Sequence, residues 1–225
     1  MKDINFTLNG SIVTVKDGLT ILEAARQNGV NIPTLCYYEK LPAIGACRIC
    51  VVEVIGSRTL VAACHTPVTE GMVVNTHSPT VLATRRIILK LLLANHCGTC
   101  YMCAKANLCE LRYLAAELGV ELPGFEPTRR YYPIEDVSPY LVRDLSKCIL
   151  CRRCVRACAQ LAGHSFFAVG YRGFDSKVIV DTDKPIDKVD CRDCDICVSI
   201  CPTGALSKPR KLPYEKKGKP LVIKS

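Results

Sequence analysis

Sixteen of the 225 residues are cysteine, and all but one of them fall into four regularly spaced groups. Cysteine at this density indicates either a disulfide scaffold or a metal protein. The N-terminus has no basic segment followed by an apolar one, so no secretory signal is predicted. We therefore expect a cytoplasmic, reducing compartment, where cysteines favour metals over disulfides.

The most specific pattern is C-x2-C-x2-C-x3-C, which begins at Cys148 and returns 43 positions later at Cys191. Bacterial ferredoxins bind two [4Fe–4S] clusters with this spacing, and the fourth cysteine of each run binds the other cluster. Zinc sites are the alternative, but they usually take two C-x2-C pairs around a separate loop. One predicted ligand set is Cys148, Cys151, Cys154 and Cys201, and the other is Cys191, Cys194, Cys197 and Cys158. We call residues 148–158 the first run and residues 191–201 the second run.

A first group of cysteines lies near the N-terminus with the spacing C-x10-C-x2-C-x13-C. Plant-type ferredoxins bind a [2Fe–2S] cluster with C-x4-C-x2-C and a distant fourth cysteine. The first gap is longer here, but the segment 45–50 and the ββα pattern before it match that class. Gly45 and Ala46 are small, as a loop that wraps closely around a cluster requires. The predicted ligands of this [2Fe–2S] cluster are Cys36, Cys47, Cys50 and Cys64.

A middle group offers five candidate ligands for one further [4Fe–4S] cluster. One choice combines His96 with three cysteines, and the other replaces His96 by Cys97. Spacing alone does not decide between them, although a histidine ligand would change the charge and potential of the cluster. The three cysteines common to both choices are Cys100, Cys103 and Cys109. The sequence thus predicts one [2Fe–2S] and three [4Fe–4S] clusters.

The formal net charge of +9 suggests a nucleic-acid partner at first sight. A cluster held by four thiolates carries about −2 when oxidised, and one held by three thiolates and an imidazole about −1. Four clusters would remove roughly 7 positive charges and leave about +2. Several arginines flank the cysteines and can compensate the clusters. They are Arg48, Arg152, Arg153, Arg156 and Arg192. No nucleic-acid partner is therefore predicted.

Local patterns predict the elements that must position these ligands. Alternating strands about Asn9-Gly10 indicate a hairpin, and Thr20 can cap a helix that ends near Gly29. Ser78-Pro79 begins an amphipathic helix that leads to His96. Further predicted elements are strands near 51–55, 59–63 and 72–75, a helix over 108–118, and a hairpin of 166–171 and 177–180. The longest apolar run, about 87–94, is too short to span a bilayer.

These elements predict an α+β protein with five parts. The parts are a [2Fe–2S] ferredoxin-like domain at 1–77, a small helical His/Cys [4Fe–4S] segment at 78–119, a Pro-rich linker at 120–140, a bacterial-type 2[4Fe–4S] ferredoxin domain at 141–208 and a basic tail at 209–225.

The order of these motifs resembles the N-terminal part of the largest peripheral subunit of complex I and of iron-only hydrogenases. The resemblance extends to about residue 208 and implies a β-grasp first domain. It also implies that His96, rather than Cys97, ligates the middle cluster with Cys100, Cys103 and Cys109. This sequence departs from the family in having Cys97 where proline is frequent.

The chain also resembles the short iron–sulfur diaphorase (gamma-type) subunit of soluble NAD(P)-linked nickel–iron hydrogenases. That resemblance implies a non-catalytic electron relay, with no active site on this chain, between an FMN- and NAD(P)H-binding flavoprotein and the hydrogenase small and large subunits. No G-x-G-x-x-G or P-loop motif is present, so flavin and nucleotide are expected on another chain. The alternatives are the same role in an NAD(P)-dependent formate dehydrogenase or an electron-bifurcating complex, a free polyferredoxin, and a zinc-rich binding module. The sequence does not distinguish NAD from NADP.

Overall fold

The computed structural model describes residues 2–96, 98–121, 130–136, 138–181, 183, 191 and 194–209. Cys97 lies outside the described residues, as does Arg192. Residues 122–129 and 137 of the predicted linker and 210–225 of the predicted tail also lie outside them.

The chain begins with the hairpin that the sequence predicts. Strand β1 (Asp3–Leu8) pairs antiparallel with β2 (Ser11–Lys16), and Leu8 lies opposite Ser11. Asn9 and Gly10 have φ angles of 50° and 85°. A two-residue hairpin turn needs positive φ at both central positions, which is why Asn-Gly is favoured there.

Three further strands extend this hairpin into one mixed sheet. Strands β3 (Val51–Val54), β4 (Val61–Ala62) and β5 (Val73–Asn75) give the order β2-β1-β5-β3-β4. Only the β1–β5 pair is parallel. The β4 strand is shorter than the predicted segment 59–63, because only Val61 and Ala62 pair with β3.

Helix α1 (Ile21–Gln27) covers one face of this sheet. Its N-terminus is held by a capping box in which Thr20 and Glu23 satisfy each other's backbone N–H groups. The buried face of α1 packs against Phe6 and Val74 in the core of the sheet. This is the β-grasp arrangement expected for residues 1–77.

Helices α2 (Pro79–Asn95) and α3 (Glu110–Glu117) frame the middle group. The Ser78 side chain caps α2 by accepting from the N–H of Val81 at 3.4 Å. The α3 helix is shorter than the predicted 108–118. Ala106–Leu108 form a separate 3₁₀ turn, and Cys109 has extended backbone at the N-cap.

The two runs fold around helices α4 (Arg153–Gln160) and α5 (Ile196–Ser199), which pack together. A short ladder joins β6 (Val142–Arg143) to β9 (Leu206–Ser207). The predicted hairpin forms from β7 (Phe167–Gly170) and β8 (Lys177–Val180), with a 3₁₀ turn at Gly173–Asp175. The predicted α+β class is confirmed.

One apolar core joins segments that are far apart in the sequence. We call it the junction core; its buried members are Leu35, Cys36, Cys47, Ile49, Leu89, Cys109, Leu111, Leu114, Leu118, Val120 and Cys151. It contains cysteines from the first group, the middle group and the first run. No helix among the described residues is both long enough and apolar enough to cross a lipid bilayer.

Candidate metal centres

The first group lies on two loops that flank the edge of the β-grasp sheet. Cys36 and Cys47 lie in the loop between α1 and β3, Cys50 directly precedes β3, and Cys64 follows β4. All four are buried. Gly45 has a φ of 60°, a conformation that glycine adopts at low cost.

The thiols of the first group interact in two pairs. Hydrogen bonds from the Cys47 side chain and from nearby backbone N–H groups lower the pKa of Cys36, and Cys50 lowers the pKa of Cys64 in the same way. Hydrogen bonding to these partners and burial raise the pKa values of Cys47 and Cys50. The four side chains of the predicted ligand set thus lie close together, in two hydrogen-bonded pairs.

The middle group lies on the loop between α2 and α3. His96 ends α2 and is buried, and the backbone N–H of Gly98 donates to its Nδ1 at 3.2 Å. Cys100 begins a 3₁₀ turn that Cys103 ends, and Cys109 occupies the N-cap position of α3. Burial raises the pKa of Cys109, and the nearby Cys103 and Cys100 add to this effect. The structure therefore brings these three cysteines together, whereas Cys97 lies outside the described residues.

The two runs repeat the same local backbone. Arg152 and Asp195 precede α4 and α5, lie 43 positions apart, and both have left-handed backbone, with φ angles of 59° and 54°. Cys154 and Cys197 are each the second residue of their helix. A left-handed residue costs about 1 kcal/mol or more when it is not glycine. The shared geometry therefore indicates that both loops are shaped for the cysteines around them.

The fourth cysteine of each run lies with the other run. Burial raises the pKa values of Cys148 to about 11 and Cys151 to about 12, and Cys201 is close enough to raise both further. Cys201 acts on Cys154 as well. In the other set, burial raises the pKa of Cys197 to about 12, with contributions from Cys191, Cys194 and Cys158.

The donor chemistry of these sites fits iron–sulfur clusters. Every cysteine among the described residues is free of disulfides. Apolar burial opposes thiolates, so iron cations would have to supply the compensating positive charge, as metal binding displaces thiol protons. Within the described part of the chain, no three ligating side chains converge closely enough to hold a single metal ion.

Two contacts near these sites are not apparent from the cysteine spacing. Glu110 follows Cys109 and binds the guanidinium of Arg153 on α4 through two hydrogen bonds of 2.6 and 2.9 Å. Lys105 donates to the carbonyl groups of Val198 and Cys201. Both tie the middle group to the two runs, and no local sequence pattern indicates such distant partners.

Gly204 is a further residue that the spacing did not single out. A Cβ atom added there would lie 2.2 Å from the Sγ of Cys103. Only glycine leaves room for the cysteine. Its position three residues after Cys201 is the one signal in the sequence that could have drawn attention to it.

Family models match three parts of the chain. Residues 1–79 match a 2Fe-2S iron-sulfur cluster binding domain, and residues 85–122 match the NADH-ubiquinone oxidoreductase-G iron-sulfur binding region. Residues 138–207 match the ferredoxin-like domain of NADH-quinone oxidoreductase subunit 3.

Several curated proteins are similar over most of the chain. The NADP-reducing hydrogenase subunit HndD of Solidesulfovibrio fructosivorans is 39% identical over 92% of this chain and 36% of its own length. The NADH-ubiquinone oxidoreductase 75 kDa subunit of Reclinomonas americana is 34% identical over 92% of this chain and 30% of its own length. The chain thus spans only about a third of the length of these curated relatives.

A solved structure is similar over nearly its whole length. A chain of an NAD+-reducing [NiFe]-hydrogenase in the H2-reduced state superposes with a TM-score of 0.84 and 33% identity. The match covers 90% of this chain and 86% of that one.

Proposed function

The chain belongs to the family of iron–sulfur electron-transfer subunits found in NAD(P)-linked hydrogenases and complex I-like oxidoreductases, and on this premise we propose that it relays electrons between an FMN- and NAD(P)H-binding flavoprotein and a hydrogenase module. The proposed cofactors are one [2Fe–2S] and three [4Fe–4S] clusters. Clusters of this kind carry single electrons, which couples a two-electron flavin to a distant redox site.

The observation that supports this role most is the junction core. Cys36, Cys109 and Cys151 belong to three different proposed cluster sites and are packed in this one buried core. Electron exchange needs clusters that lie close together and shielded from water. The apolar side chains around these cysteines would provide both conditions, because they exclude water and fix the ligands.

We propose the ligand sets of the sequence analysis, in which the choice of His96 over Cys97 rests on the family resemblance. The first cluster would be held by the first group and the middle cluster by His96, Cys100, Cys103 and Cys109. The remaining two would be held by Cys148, Cys151, Cys154 and Cys201 and by Cys191, Cys194, Cys197 and Cys158. Cytoplasmic location also stays a prediction.

A partner is proposed to dock beside the middle group. Cys100 and Cys103 are half-buried, and apolar side chains adjacent in sequence to cysteines of this group are exposed: Tyr101 follows Cys100 and is 86% accessible, and Leu108 precedes Cys109 and is 74% accessible. Met102 lies between them and is also exposed. Exposed apolar side chains concentrated around one site are typical of an interaction surface. We propose that this surface contacts another subunit of the complex.

The decisive experiment is purification of the native protein with its co-purifying subunits. We expect about 14 iron atoms per chain, a flavoprotein partner, and hydrogen-dependent reduction of NAD(P). Nickel in the complex would support a hydrogenase, whereas molybdenum or tungsten with formate-dependent activity would support a formate dehydrogenase. A purified monomer that binds no other subunit would contradict the relay within a complex, and a few zinc atoms in place of iron would contradict the clusters.

A variant with Tyr101→Ser and Leu108→Ser tests the docking surface. We expect it to keep its iron and to lose a co-purifying subunit. The matched control is Ile12→Ser, which removes an apolar side chain that is 80% exposed on strand β2 of the first domain. Equal loss of subunits in both variants would refute the assignment of this surface.

A further inference from the structure

Two buried arginines flank the first group, and neither belongs to the first domain. Arg85 is 1% exposed and comes from α2, and Arg156 is 9% exposed and comes from α4. Burial of a guanidinium is costly unless an opposite charge or hydrogen bonds compensate it. Each arginine therefore needs a partner.

The hydrogen bonds of both guanidinium groups go to the backbone beside predicted ligands. Arg156 donates to the carbonyl of Cys36 at 2.6 Å and to that of Pro42. Arg85 donates to the carbonyl of Val51, the residue after Cys50, at 2.8 Å. The Nε of each arginine has no hydrogen-bond partner among the described residues.

No carboxylate lies within ion-pair distance of Arg85 or Arg156 in the described part of the chain. The acidic side chains that face Arg156 are cysteines of the proposed ligand sets: Cys36 acts on it most, and Cys151 and Cys154 of the first run act on it less. Arg85 faces Cys50 and, less strongly, Glu117. Arg153 is different, because its guanidinium forms an ion pair with the carboxylate of Glu110 at an N–O distance of 2.6 Å.

We propose that Arg85 and Arg156 are positioning residues that raise the reduction potential of the [2Fe–2S] cluster. This inference rests on the proposed function, which places that cluster at the first group. One-electron reduction adds a negative charge to the cluster. Two fixed positive charges in a buried, poorly screened site stabilise the reduced form more than the oxidised form.

Both arginines come from regions of the chain outside the first domain. Arg85 lies in the segment that carries the middle group, and Arg156 lies between Cys154 and Cys158 of the first run. The first domain on its own would lack both charges. The potential of its cluster would therefore depend on the packing of the other two cluster-binding regions against it.

The test uses the full chain with its clusters and measures the [2Fe–2S] midpoint potential by redox titration followed by electron paramagnetic resonance. In Arg156→Gln the amide can still donate to a carbonyl but the charge is lost, and we expect a shift to more negative potential. Arg85→Gln removes the other buried charge and should shift the potential in the same direction. Arg156→Lys keeps the charge and should recover most of the shift.

The control is Arg48→Gln, which removes the same charge from an exposed side chain within the ligand loop. Its effect should be much smaller, because water and salt screen an exposed charge. Iron content per chain verifies that each variant is loaded. If Arg156→Gln does not hold its clusters, the midpoint potential of Arg85→Gln tests the inference in its place.

Unchanged potentials in the loaded Gln variants would overturn the inference, as would equal shifts in Arg156→Gln and Arg156→Lys. A shift in Arg48→Gln as large as in the buried variants would also overturn it. An unaltered protein that shows no [2Fe–2S] signal at all would instead refute the proposed function.

Discussion

Gly204 is a residue whose lack of a side chain determines how two proposed cluster sites fit together. It lies three positions after Cys201, and its Cα faces the Sγ of Cys103 from the middle group. A Cβ at 2.2 Å from a sulfur atom is far inside van der Waals contact. The cysteine would have to move, and a ligand that moves no longer meets its metal.

Gly204→Ala is therefore expected to displace Cys103 and to release the middle cluster. Iron content should fall by about 4 atoms per chain, and the spectroscopic signal of one [4Fe–4S] cluster should be lost.

The control for this prediction is Gly170→Ala on β7. There the added Cβ meets only the side chain of Ile179, which can adjust, and the iron content should stay unchanged. Full iron content in Gly204→Ala would contradict the prediction.

At the scale of elements, the eight-residue helix α4 contacts every cluster-binding region. Cys154 and Cys158 lie with different cysteine sets, Arg156 reaches the first domain, and Arg153 reaches the middle group through Glu110. Residues three positions apart share one face of a helix, so Arg153 and Arg156 can act side by side. A short helix can thus fix the mutual positions of several cofactors.

Glu110→Gln is expected to weaken the docking of the middle group on α4. It leaves the Arg153 side chain, which is 5% exposed, without a carboxylate. A hydrogen bond to a charged group contributes about 1.5–3 kcal/mol, so the apparent midpoint of thermal unfolding should fall by several degrees under anaerobic conditions.

The exposed pair of Asp3 and Lys16 provides the comparison for Glu110→Gln. It has the same 2.6 Å separation, but its side chains are more than half exposed. Asp3→Asn should change stability by less than about 1 kcal/mol. Equal destabilisation by both substitutions would show that burial of Arg153 is not the cause.

At the scale of the whole molecule, the balance of charge depends on the clusters. The 30 Lys and Arg residues exceed the 21 Asp and Glu residues, which gives the formal charge of +9. Loaded clusters would bring this to about +2. The positive charge of the excess basic side chains and the negative charge of the proposed clusters would therefore largely compensate each other.

Removal of iron is expected to make the protein bind a cation exchanger more tightly at pH 7. Chelation replaces anionic clusters by thiols, which are largely neutral at that pH. The treated protein should elute at higher salt than a mock-treated sample that keeps its iron. Elution at the same salt from samples of different iron content would contradict the proposed cluster charges.

The sequence by itself determined the α+β class, most element boundaries and the candidate ligands. Local rules govern these features: Asn9-Gly10 specifies a hairpin turn, Thr20 with Glu23 specifies a helix start, and cysteine spacing specifies which thiols share a loop. Helix α3 is shorter than the sequence predicts, because Cys109 adopts extended backbone at its N-cap.

Only the tertiary structure decided which charges and surfaces meet at the candidate sites. The bond from Arg156 to the carbonyl of Cys36 joins residues 120 positions apart, and the Gly204–Cys103 contact joins two separately predicted sites. No spacing rule reports such contacts, because they arise when the faces of separately formed elements pack together. Candidate ligands can be recognised from local spacing, whereas the charges and side chains around them are brought together by packing.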